Sequence, residues 1–186
     1  MVQQKTDTAL LVMDMQEMLV NSLPGSEQLL SNVAKAIKHA REVGIPVIYG
    51  VVAFREGFPE VNPEHKAFSQ MSTRLQGVSP EAMMKIAPAL APAGNEVVVV
   101  KKRISTFTGS DLEVILRSQG IRHLVLSGII TSGVVLATLL EAADKDYRIT
   151  VLSDGCKDRD DNVHQVLMDS VFARLATITT CEDWSR

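Results

Sequence analysis

The chain alternates between short apolar runs and longer stretches of helical periodicity. Six runs have strand length: 8–14 (TALLVMD), 46–54 (PVIYGVVAF), 96–102 (EVVVVKK), 123–128 (HLVLSG), 148–154 (RITVLSD) and 176–180 (ATITT). Their apolar residues are consecutive rather than alternating, as in strands covered on both faces of a parallel sheet. Between the second and first runs, Leu29, Leu30, Val33, Ile37 and Ala40 fall on one helical face, with Ser26 as the expected cap and Gly44 as the stop. The stretch from Ser110 to Gly120 repeats the scheme, and 131–146 and 160–175 supply two more helical patterns. This alternation predicts one doubly wound α/β domain over 1–186, and right-handed crossovers leave few topologies.

Residues 55–95 break the rhythm. Pro59, Pro63, Pro80, Pro88 and Pro92 cut them into short pieces, so loop with short helices is expected there. Such a segment suits a lid or an oligomer contact, and Met71, Met83 and Met84 hint weakly at the second.

Composition narrows the class. A length of 186 residues fits one domain and buries a sizeable core without staples. The net charge of −3 with no basic cluster argues against nucleic acid and against an anionic membrane surface. Cys156 and Cys181 are too few for a disulfide framework. The opening MVQQKTDTALLVMD has no leader pattern, and no apolar run reaches about 18 residues. The expectation is a soluble, cytoplasmic protein.

In doubly wound sheets, ligands bind beyond the carboxyl ends of the strands. The candidates are therefore Asp14 and Gln16, then Lys101, Lys102 and Arg103, then the elbow GIITSGVVLATLLEA at 128–142, then Ser153 and Asp154. Phe54 and Phe58 are expected to shape a pocket wall.

Three of these stretches carry a resemblance. LLVMDMQ, KKRISTFTGSDLEVILRSQGIRHLVLSGI and GIITSGVVLATLLEAADKDYRITVLSDGC occur in order at matching spacing, and together they resemble the isochorismatase-like cysteine hydrolases. The resemblance spans nearly all the chain except 55–95. It implies a three-layer α/β/α fold on a six-stranded, mainly parallel sheet of order 3-2-1-4-5-6. It also implies a homo-oligomer, dimer or tetramer, with no cofactor.

In most of that family an Asp, a Lys and a Cys cooperate on an amide or similar carbonyl. Carried over, the Asp is Asp14 and the Lys is Lys101, with Gln16 beside them as a substrate-binding position. Aligning Gly128, Thr131, Val135 and Thr138 without gaps puts Val134 at the Cys position. Valine has no lone pair, so pKa tuning cannot restore a nucleophile there. The resemblance further implies a cis peptide at Ile129–Ile130, with the backbone amides of Ile130 and Val134 forming an anion hole.

Thr131 and Ser132 are hydroxyls at a helix start, where N-capping is the ordinary role. Cys156 reads as a packing residue and Cys181 has no assigned role. His39 and His164 lie on helical patterns and are expected to face solvent, while His65 stands alone. AFREGFPEVNPEH lacks the Asp and His pair around Trp-His that metal-binding relatives carry, so no metal is expected. Two readings stay open: a hydrolase that relies on Asp14 and Lys101 without a thiol, and a non-catalytic relative that binds small molecules or acts as a scaffold.

Overall fold

A computed structural model of the protein describes residues 6–186. Six strands form one sheet: β1 (Thr8–Met13), β2 (Val47–Val52), β3 (Val97–Lys101), β4 (His123–Ile129), β5 (Arg148–Lys157) and β6 (Thr177–Thr179). Their order is β3-β2-β1-β4-β5-β6 and every pairing is parallel, as the resemblance implies. The helices are α1 (Glu17–Val20), α2 (Ser26–Glu42), α3 (Lys66–Arg74), α4 (Pro80–Met84), α5 (Leu112–Gln119), α6 (Leu136–Asp144), α7 (Asp161–Val166) and α8 (Cys181–Trp184).

The consecutive apolar runs have a physical cause, because side chains alternate between two covered faces. Leu11, Met13, Leu124 and Leu126 point to one side and pack with Leu112 and Leu116 of α5 and Leu139 of α6. Leu10, Val12 and Val125 point to the other and pack with Val33, Ile37 and Ala40 of α2. Truncating one of these buried leucines to alanine would destabilise the domain by about 2–5 kcal/mol. A third, smaller cluster joins Val52, Phe54 and Phe68 under the 55–95 segment. That segment is loop around α3, α4 and a short turn at Pro88–Leu90.

Three local expectations are corrected. The cap of α2 is Gly25, at φ 70°, and Ser26 is the first helical residue. Strand β5 does not stop at Asp154 but runs on to Lys157, past a register shift between Leu126 and Gly128 on its neighbour. The pattern read as one helix from Thr131 begins as a wide turn, Thr131–Val135, kinked at Gly133 (φ −106°, ψ −106°) before α6. No helix among the described residues is long and apolar enough to cross a membrane.

Candidate active site

Asp14 follows β1 directly. Its N–H donates to the Gly50 carbonyl at 2.8 Å, extending the ladder by one rung, and its φ of 55° then turns the chain away from the sheet. Aspartate tolerates this left-handed region better than most residues. Lys101 closes β3, two strands away, and reaches back so that its Nζ lies 3.0 Å from Asp14 Oδ2. The same ammonium donates to the carbonyls of Arg103 and Ile104, both at 3.0 Å.

Both side chains are buried, Asp14 as a residue 7% exposed and Lys101 2%. Asp14 Oδ1 has no hydrogen-bond partner. Burial raises the Asp14 pKa, and the attraction and hydrogen bond of Lys101 oppose it without reversing it. The carboxyl therefore has one oxygen fixed by a cation and one uncommitted.

Lys102 and Arg103, candidates from the same strand end, do not join the pair but tie down the irregular segment. Lys102 Nζ donates to Ala53 O at 2.6 Å. Arg103 donates to the Glu60 carbonyl at 3.1 Å and lies over the Phe68 ring. Phe54 is 1% exposed and stacks with Phe58 and Phe68, so it stands behind the wall rather than in it. Phe58 itself lines a cavity with Arg55, Gln76 and Met83.

Gln16 is a brace. Its amide nitrogen donates to the carbonyls of Val52, at 2.9 Å, and Met83, and its oxygen accepts from Val52 N–H at 3.0 Å. Through it, the chain after Asp14 is fastened to β2 and α4.

At the elbow the Ile129–Ile130 peptide is cis. The Gly133 and Val135 N–H groups donate to the Ile130 carbonyl at 2.9 and 3.4 Å. Val134 is 2% exposed and belongs to the core cluster around α5 and α6. Neither hydroxyl caps the turn. Thr131 Oγ1 instead lies 2.9 Å from His164 Nδ1, and the Ser132 N–H is held by Asp158 Oδ2 at 2.7 Å.

Asp158 was not singled out by sequence reading, and His164 was expected to face solvent. Asp158 is buried, and its other oxygen accepts from the Arg159 N–H at 2.8 Å. Burial pushes its pKa up, but backbone hydrogen bonds from Ser132, Arg159 and Asp160 outweigh that and hold it below the ordinary value. His164 does not face solvent. It is half-buried, and burial holds its imidazole below the ordinary pKa. His39 is likewise half-buried, edge-on to Trp184 at 5.2 Å. His65 caps α3, accepting from Phe68 N–H at 3.3 Å.

Both cysteines lie in the interior. Burial pushes the Cys156 thiol up to about 12, and Cys181 is raised by the same cause. Asp154 accepts from the Cys181 N–H at 2.7 Å, which spends it on α8. Among the described residues, no group of three or more His, Cys, Asp or Glu side chains is arranged to hold a metal.

The chain was compared with known proteins. The isochorismatase domain matches residues 8–183. N-carbamoylsarcosine amidase of an Arthrobacter species is 32% identical over 140 residues, covering 74% of this chain and 53% of that protein. Ureidoacrylate amidohydrolase RutB of Yersinia enterocolitica is 29% identical over 173 residues, covering 80% of this chain and 74% of that protein. The solved structure of an isochorismatase family protein from Burkholderia thailandensis superposes with a TM-score of 0.81 at 27% identity, over 95% of this chain and 93% of that one. A domain match from β1 to α8, on a fold that overlays a solved member almost end to end, makes this chain a member of the isochorismatase family of hydrolases.

Proposed function

We propose that the chain hydrolyses a small molecule with Asp14 as its acid–base group and without a thiol nucleophile. One observation carries this reading: Asp14 is a buried carboxyl of raised pKa whose Oδ1 is unpartnered while Oδ2 is fixed by Lys101. A carboxyl that holds its proton more tightly than usual, with one oxygen unpartnered, suits proton donation to a substrate.

The step follows from that geometry. Asp14 Oδ1 gives its proton to the leaving nitrogen of an amide, or to the vinyl carbon of a vinyl ether. The scissile C–N or C–O bond breaks after water has added, releasing the amine or the alcohol. Water adds to the carbon so activated. The carboxylate takes a proton from that water, which restores the acid and balances the step. Lys101 holds Oδ2 throughout and stabilises the carboxylate between the two transfers. The backbone N–H groups of Ile130 and Val134 are the proposed cradle for developing negative charge, a role that does not depend on side-chain type. Val134 supplies no nucleophile, and both thiols sit in apolar surroundings that oppose ionisation. Amides lead the substrate classes because two relatives are named as an amidase and an amidohydrolase. A vinyl ether such as isochorismate is the other class that the family resemblance supports.

A second reading is favoured by Val134 itself. Its burial in the core makes the elbow an ordinary packed element, as suits a member that binds a small molecule without turning it over.

The test is a screen of the purified protein against isochorismate and a panel of amides, with Asp14→Asn as control. Turnover that this change abolishes supports the hydrolase. Absence of turnover with ligand-induced thermal stabilisation supports the binding protein. Activity that stops on thiol alkylation would sink both and point to Cys156 or Cys181. The same reading takes the protein to be a homo-oligomer, dimer or tetramer, which light scattering measures directly.

A further inference from the structure

We propose that His164 is a pH-operated latch on the elbow: as a neutral imidazole it accepts the Thr131 hydroxyl proton and holds the chain beside the cis peptide, and as an imidazolium it releases that hold. His164 is thus a positioning residue that acts through Thr131. The latch stands on contacts at the elbow. Only its consequence for turnover rests on the reading of the Ile130 and Val134 amides as a cradle for negative charge.

Thr131 follows the cis Ile129–Ile130 peptide directly and is fully buried. A hydroxyl in that position cannot turn to water. Its side-chain partner among the described residues is His164 Nδ1, at 2.9 Å. A neutral ring accepts there when its own proton is on Nε2. An imidazolium carries a proton on both nitrogens, so Nδ1 can only donate. The hydroxyl must then become the acceptor, and its proton loses the nitrogen that received it. A buried donor without an acceptor is costly, so protonating the ring loosens the contact.

One connection grips the elbow at two successive residues. Asp158, just past β5, holds the Ser132 N–H at 2.7 Å, and His164 of α7 holds Thr131. The mount of the second grip is firm. Asp160 accepts from the Asn162 and Val163 N–H groups, and the His164 N–H donates to the Asp160 carbonyl at 3.0 Å.

The ring is also open to protons. It is half-buried and lines a cavity of about 260 Å³ between the start of α2 and the end of β5. Charged groups surround it. Asp154, Lys157 and Asp158 come from β5 and the turn after it, Asp161 from α7, and Asp169 from the helical turn that continues α7. The polar α2 residues at the cavity, Gln28 and Asn32, are uncharged. Burial outweighs the pull of Asp158, Asp161 and Asp169 and holds the imidazole below its ordinary pKa of 6.5. The latch is therefore complete above the ordinary value and lost as pH falls through the folded one. Asp158 is held below the ordinary carboxylate value, so it keeps its grip while His164 lets go.

The test is an NMR titration of the full chain from about pH 8 to about pH 5, with no substrate present. The Ile130, Thr131 and Gly133 amides should shift with one midpoint, below 6.5, shared with the His164 imidazole. In His164→Gln the side-chain oxygen still accepts but does not titrate, so these shifts should vanish. In Thr131→Val the neutral ring loses its hydroxyl donor, and the His164 midpoint should rise by about half a pH unit or more. Elbow amides that do not follow the His164 midpoint, shifts that persist in His164→Gln, or an unmoved midpoint in Thr131→Val overturn the proposal. The Thr131→Val midpoint decides alone if His164→Gln does not fold. The titration needs no turnover, so a protein inactive on every substrate leaves the latch standing, and loss of the latch leaves the Asp14 reading untouched.

Discussion

Lys101 Nζ stands 3.0 Å from Asp14 Oδ2, and both residues are buried, so neither side chain can fall back on water. A buried pair of this kind adds little stability as a whole, yet losing one member strands the other. Asp14→Asn and Lys101→Met should each destabilise the protein by about 3 kcal/mol or more. The double variant should lose less than the sum, with a coupling of about 1–3 kcal/mol. Urea unfolding of the four proteins measures the cycle, and strict additivity would mean that the two groups do not act as a pair.

The same pair sets the pH response. Burial raises the folded-state pKa of Asp14 above the ordinary carboxylate value of 3.8. A raised pKa means that the folded protein holds this proton more tightly than the unfolded chain. The group's contribution to stability is therefore full below the ordinary value and is lost as pH rises through the folded pKa. On the proposed acid–base role, kcat/KM should fall as pH rises through that pKa, since the protonated form would be the donor. Asp14→Asn should remove this limb of the stability profile. A limb that persists in the variant would assign it to another group.

Gly128 ends the straight part of β4 against Met13. A Cβ placed there would meet the Met13 carbonyl at 2.7 Å and the Met13 Cβ at 2.9 Å, with backbone rather than a flexible side chain in the way. Gly128→Ala should therefore cost about 1–3 kcal/mol by overpacking. It should also displace the elbow two residues on, lowering activity or ligand affinity. Gly94→Ala, which meets nothing within 4 Å, is the control and should stay within about 0.5 kcal/mol of the parent. Thermal melts of the two variants side by side make the comparison.

Asp158 holds the first turn of the elbow through the Ser132 N–H. Its pKa is lowered in the folded state, so its contribution is present above the unfolded value and lost as pH falls through the folded one. Asp158→Ala leaves the Ser132 and Arg159 N–H groups without their acceptor and should destabilise by about 1–3 kcal/mol. Asp158→Asn should recover part of this, because its amide oxygen still accepts. Equal losses in the two variants, measured by denaturant titration at neutral pH, would locate the effect in charge rather than in the hydrogen bonds.

The strands were legible because each is a continuous apolar run, and continuity follows from burial on both faces. The exception is instructive. β5 continues through Asp154, Gly155 and Cys156, residues that read as a turn after the apolar run. The strand bulges there: its register moves from Leu126–Val151 to Gly128–Cys156, and Gly155 folds back so close to Leu152 that a Cβ would meet the Leu152 Cβ at 2.9 Å, an irregularity with no signal in the local pattern. Asp14 and Lys101 were legible from strand ends together with the family resemblance. Asp158 and His164 were not, because their contacts with Ser132 and Thr131 bridge 26 and 33 residues and neither sits in an apolar run.

An ammonium group has three protons, and those of Lys101 face three oxygens: Asp14 Oδ2, Arg103 O and Ile104 O. Lys101 thus has no donor left to offer a ligand, and it works as a fixed counter-charge rather than as a hand that reaches. Any molecule reaching the pair must engage the other oxygen of Asp14, which is unpartnered but itself buried. On the proposed acid–base role, a substrate meets one oxygen of this carboxyl and never the lysine, so the two halves of the pair divide the work between contact and support.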